Sequence, residues 1–215
     1  MKLIKNEKGV SLVELIAGIP LAVILFGVMI MAMMHFIRVY QETKLYVQLQ
    51  EDLYNVIETV RYGYADDYYN VGEGLIGLIT ARSVSVSPNH RILTVYPLLV
   101  EQNPNYKCEY TVNDDRQITI KLYYKHVMEE PKLIFPSTKP VFFGNEAQFK
   151  ILNQSTAWNI VEIDEEGNPL MLKIHLEGQV RYRARQQGQS IADDLRQNTR
   201  TITYETVIFL GNSVN

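Results

Sequence analysis

At 215 residues the chain has room for one domain of ordinary size plus an appended helix, and hardly for two full domains. Hydrophobic residues make up 47% and charged residues 21%, a composition that can bury a core and that excludes a disordered chain. The net charge of -3 is too small to argue for an acidic or a basic partner of the whole protein.

Residues 1–9 carry Lys2, Lys5 and Lys8 against Glu7. From Leu15 to Met34 there follows an uncharged apolar run of about 20 residues, which as a helix just crosses a hydrocarbon core of about 30 Å. Lysines ahead of the span predict a cytoplasmic amino end, with the bulk of the chain sent across the membrane. A secretory signal has a shorter apolar region and a small-x-small cleavage site behind it. Here Met33-Met34-His35-Phe36-Ile37-Arg38 follows instead, so the span is expected to stay with the protein. Glu14 precedes the uncharged run by one position. An ionised acid there is either a functional group in need of a partner or an interfacial acid still touching headgroup water.

The run Lys8-Gly9-Val10-Ser11-Leu12-Val13-Glu14-Leu15 resembles the type IV prepilin cleavage and methylation signature: a basic leader ending in Gly, an apolar new terminus, and a Glu at the fifth mature position. The resemblance covers about residues 5–37 and implies a minor pilin or minor pseudopilin. It implies cutting between Gly9 and Val10 by a prepilin peptidase, and methylation of the new Val10 amine by the same enzyme acting as methyltransferase. It further implies that Glu14 meets the terminal amine of a neighbouring pilin or pseudopilin subunit during assembly, each charge supplying the other's partner in low dielectric. Membrane lipid and other subunits are the implied partners. Pro20 in the first half of the span removes a backbone bond and predicts a helix kink.

After Arg38 an apolar stripe continues at spacings of three and four: Leu45, Leu49, Leu53, Val56, Ile57 and Val60. With no Gly or Pro from Val28 to Tyr62, span and stripe predict one helix of about 50 residues whose outer half packs on a sheet. The divisions expected are a leader at 1–9, a membrane-spanning helix at 10–37, a helical stalk at 38–62 and a β-rich head at 63–215.

In the head, Leu75–Thr80, Ser83–Ser87 and Arg91–Tyr96 are expected strands, the last two joined at Pro88-Asn89. Tyr106–Val112 and Gln117–Lys125 flank a hairpin turn at Asn113-Asp114-Asp115-Arg116, with Ile118, Ile120, Leu122 and Tyr124 on one face. The passage with Pro131, Pro136 and Pro140 reads as an extended connection. Gln148–Leu152, Asn159–Asp164, Pro169–Leu176 and Thr199–Leu210 resume the strand pattern. The fold class expected is α+β: a long amino-terminal membrane helix continuing into a stalk, packed on a mainly antiparallel sheet, as in pilins.

Candidate sites in the head resolve into structural readings. Cys108 has no second cysteine, so no internal disulfide forms, and it reads as a small apolar residue in a strand. Asp164-Glu165-Glu166-Gly167-Asn168 lacks calcium-loop spacing and reads as a turn, as does Asp66-Asp67. His35, His90, His126 and His175 show no metal-ligand spacing, and no phosphate loop or nucleophile motif is present. No metal, cofactor or enzymatic activity is expected. Arg181, Arg183, Arg185, Arg196 and Arg200 are read as a solvated loop or subunit contact; the interleaved Asp193 and Asp194 argue against nucleic acid. A reading of another class is a single-pass anchored binding module, an adhesin or receptor head outside any filament.

Overall fold

A computed structural model describes residues 12–63, 77–97, 107–124, 127–128, 130–165 and 167–210. One helix, α1, spans Leu12–Tyr62, and the chain divides into two compact units at Lys44/Leu45. The helix runs through Pro20 without a break. The second unit carries a mainly antiparallel β-structure, so the chain has the α+β layout expected of it.

After a 3-10 turn at Leu78–Thr80, where a strand was expected, β1 (Ala81–Val86), β2 (Ile92–Pro97), β3 (Lys107–Val112) and β4 (Ile118–Tyr124) form a meander. Beyond β4, the short β5 (Val127–Met128) and β6 (Lys132–Phe135) share its second edge. The turn residues Asn113 to Arg116 join β3 to β4 as expected; Arg116 takes φ 61° and its N–H returns to the Asn113 carbonyl. The Pro-rich passage is not merely an extended connection. It contains β6 and a small hairpin of β7 (Phe142–Phe143) and β8 (Glu146–Ala147).

A second sheet is built on β11 (Pro169–Arg181), which runs five residues beyond the expected Leu176. β12 (Thr199–Phe209) covers one whole edge of it. On the other edge, β10 (Trp158–Ile163) pairs Pro169 to Ile174 and β9 (Phe149–Ile151) pairs Gly178 to Val180. Between β11 and β12 lies a helix that the sequence pattern did not reveal, α2 (Ile191–Asn198).

The stalk stripe behaves as its spacing predicts. Leu49, Leu53, Val56, Ile57 and Val60 are buried and Leu45 packs at the margin, because residues three and four apart share a helix face. Onto this stripe the sheets bring their alternating apolar rows: Leu93, Val95, Tyr110, Ile118 and Ile120 from one, Leu172, Ile174, Leu176 and Val180 from the other, all in one core. At Gly178 the second sheet approaches the helix closely. A Cβ there would lie 2.7 Å from Leu53 Cδ1 and 3.0 Å from Leu49 Cδ1, so any larger residue would force these buried leucines to shift.

The two sheets are also tied through their turns. Trp158 Nε1–H donates to the Arg91 carbonyl at 3.2 Å, and Ile151 N–H to the Arg116 carbonyl at 2.8 Å. The Asp164–Asn168 acidic cluster is the turn its composition predicts: Asn168 N–H donates to Asp164 Oδ1 at 2.6 Å, and Gly167 takes φ 86°.

Candidate functional site: the exposed apolar helix

The first unit presents apolar side chains on every side of α1. Ile16, Ile19, Leu21, Ile24, Phe26 and Met29 are exposed, and so are Met33, Phe36 and Tyr40 further along. Backbone groups inside a helix bond to one another, so only these side chains meet the surroundings. A helix hydrophobic all round suits lipid or other helices and not water. Among the described residues it is the one helix long and apolar enough to cross a membrane, which suggests a single-pass membrane protein. Arg38 and Glu42, 3.4 Å apart, mark the return of charge after the apolar run. A Cβ at Gly18 or Gly27 would meet nothing within 4 Å.

Of the residues singled out from the sequence, Gly9 and Val10 lie outside the described residues. Glu14 lies in the first turn of α1, and its side chain is outside the described ones. Pro20 lies within α1 among the exposed apolar positions.

In the head, two polar clusters emerge, one that sequence patterning did not single out and one among the arginines that it did. Asp52, on the buried side of the stalk, accepts hydrogen bonds from the Ser137 N–H at 3.1 Å and the Ser137 hydroxyl at 2.5 Å. One turn earlier, Gln48 Nε2 donates to Thr138 Oγ1 at 3.1 Å. Together they hold the segment after β6 against the helix.

The second cluster corrects the reading of the arginines. Arg181 is not in a solvated loop; it ends β11 and is only 2% exposed. Its guanidinium donates to both carboxylate oxygens of Asp194, at 3.0 and 2.9 Å, and lies 2.7 Å from Glu146 of β8. The Asn198 amide donates to Asp194 as well, at 2.8 Å. Hydrogen bonds from Arg181 hold the Asp194 carboxyl below its usual value. Burial would raise Glu146, yet Lys150 and Arg181 together hold it below the usual carboxylate value too. A signal for α2 was present: Ser190 caps it, accepting from Asp193 N–H at 3.1 Å, with Asp193 and Asp194 in the first turn.

The remaining polar features are smaller. Cys108 is buried in β3 as expected, and burial pushes its thiol up to about 12. Glu205 takes Lys173 at 2.9 Å and His175 at 3.0 Å on the surface of the second sheet. An open cleft of about 300 Å³ lies between the β3–β4 turn and the β7–β8 hairpin, lined by Asp115, Phe142, Glu146 and Lys150 among others. Among the described residues no three His, Cys, Asp or Glu gather as a metal site. The described residues thus offer an exposed apolar helix in the first unit and a head held by buried hydrogen bonds in the second. No family model, no curated protein and no solved structure matches this chain.

Proposed function

We propose that the chain is a minor pilin or pseudopilin: a membrane-held subunit cut between Gly9 and Val10 by a prepilin peptidase, N-methylated at Val10, and assembled through its helix into a type IV pilus, competence pilus or type II secretion pseudopilus. The observation that carries the reading is the continuity of α1. The helix starts at Leu12 within the Gly9–Glu14 signature, is exposed and apolar on all sides from Ile16, and ends as the buried stripe of a β-rich head. Such a subunit needs both properties from one helix, an apolar surface for the membrane and a stripe that packs into the head.

In this reading Glu14 offsets the new Val10 amine of a neighbouring subunit, because either charge alone in hydrocarbon is costly. The head is placed outside the cytoplasm by the leader lysines. The test is the mass of the mature amino terminus after expression alongside a prepilin peptidase. A chain starting at N-methylated Val10 supports the proposal; one that keeps its leader in a peptidase-competent cell overturns it and favours an anchored binding head. Glu14→Ala is expected to be processed normally yet enter filaments poorly, and normal entry would remove the charge-pairing role.

A further inference from the structure

The sheet built on β11 stops at β12. That strand pairs with β11 over its whole length, Met171 opposite Phe209 through Arg181 opposite Thr199, without a bulge. Among the described residues no strand pairs its other edge. Leu210 N–H donates to the Leu170 carbonyl and Tyr182 N–H to the Asn198 carbonyl, so the even-numbered residues bond toward β11. Antiparallel alternation then turns the N–H and C=O of Thr201, Thr203, Glu205, Val207 and Phe209 outward along the open edge.

Open edges are normally kept short, bulged, or guarded by Lys or Pro. β12 has 11 residues in regular register and contains neither Lys nor Pro; its one cation, Arg200, lies at the start of the strand and donates to the Arg196 and Thr199 carbonyls. Its one outward carboxylate, Glu205, is already engaged by Lys173 and His175. On the inner face, Ile202 and Tyr204 pack against the core but remain half-buried beside the open edge. On the outer face Val207 and Phe209 are 52% and 61% exposed.

We infer that this edge pairs, antiparallel, with the same edge of a second copy of the chain, joining two heads in one continuous sheet. The strand's own order of residues selects that occupant. The register overlapping all of Thr199–Phe209 is centred on Tyr204, the strand's midpoint. It sets Thr203 opposite Glu205 of the partner subunit, Thr201 opposite Val207 of the partner subunit, and Tyr204 opposite Tyr204 of the partner subunit. No like charges meet, whereas a register centred on Glu205 would oppose two carboxylates. Each outward pair exchanges two main-chain bonds, so the four central pairs supply about eight, within the range of a specific interface. The inference does not depend on cleavage at Gly9 or on entry into a filament.

The experiment uses the full chain in detergent micelles. Tyr204 sits at a non-hydrogen-bonded pair, where Cα atoms approach to about 4.5 Å, close enough for a disulfide. Tyr204→Cys in a Cys108→Ala background is therefore expected to form a covalent dimer under mild oxidation. Thr203→Pro removes an N–H that points away from β11 and is expected to weaken the dimer about tenfold or more. In the unmodified chain the amides of Thr201, Thr203, Glu205 and Val207 are expected to gain hydrogen-exchange protection as concentration rises. Three results overturn the inference: no cross-link at position 204, a dimer undiminished by Thr203→Pro, which would be held by the helix, or protection of those amides in the dilute monomer, which would mean that a segment of the same chain covers the edge.

Discussion

Replacing Asp194 with Ala tests whether the buried ion pair clasps α2 to the sheet. The substitution deletes two hydrogen bonds from Arg181, at 3.0 and 2.9 Å, and a third from Asn198 at 2.8 Å. Removing one member of a buried pair costs about 3–5 kcal/mol, because the other is left charged in low dielectric. Arg181 would still hold Glu146 at 2.7 Å, and Glu146 is half-exposed, so part of the penalty is relieved. The expected loss for the head is therefore about 2–3 kcal/mol. Arg181→Met/Asp194→Ala should lose less than the sum of the single changes, by about 1–2 kcal/mol. Urea unfolding of the full chain in micelles can be followed by Trp158, the chain's one tryptophan and a fully buried one. A loss below about 0.5 kcal/mol for Asp194→Ala, or strict additivity in the pair, would refute the clasp. The sign with pH is also set. Asp194 and Glu146 are held below their ordinary values, so the unfolded chain takes up protons before the folded one. Their contribution is complete above the ordinary carboxylate range and is lost as pH falls below it. Asp194→Ala should flatten that acid limb.

Three further outcomes are expected. Gly178→Ala should destabilise the head by about 1–3 kcal/mol in the same urea assay, since the new methyl meets Leu53 and Leu49, both fully buried, at 2.7 and 3.0 Å; a neutral effect would show that the stalk can shift at no cost. Asp52→Ala leaves the Ser137 N–H and hydroxyl without their acceptor and should cost about 1–3 kcal/mol, with faster proteolysis after Phe135 as a second readout. Cys108, buried and with its thiol pushed up to about 12, should react with an alkylating reagent only after unfolding; fast labelling of the folded chain would contradict its burial.

How far the sequence reached depends on the kind of order involved. The stalk was legible because Leu49, Leu53, Val56 and Val60 recur at helical spacing, and that spacing alone puts them on one face. The β3–β4 hairpin was legible for a similar reason, the turn residues Asn113 to Arg116 followed by a period of two from Ile118. The end of β11 was not. Beyond Leu176 the one break in the apolar–polar alternation is Gly178, which reads as a strand end. The polar Gln179 and Arg181 keep the outward period, and no local pattern reports that they are buried. The Pro-rich passage misled in the same way: β6 forms because β4 offers it an edge from Ile118 to Ile120, although its own residues look like a linker.

By itself, the sequence determined that this chain has an apolar helix fit for a membrane, that the helix continues into an amphipathic stalk, and that a mostly antiparallel β-structure follows. Composition and period carry those features, because lipid and a core face select residues by spacing along the chain. Only the tertiary structure decided which of five arginines is buried, which acid answers it, and why residue 178 is glycine. Those outcomes depend on pairs far apart in sequence, Arg181 with Asp194 and Glu146, and Gly178 with Leu49 and Leu53. A buried charge is tolerated only where a partner arrives from another element, and folding alone brings that partner into place.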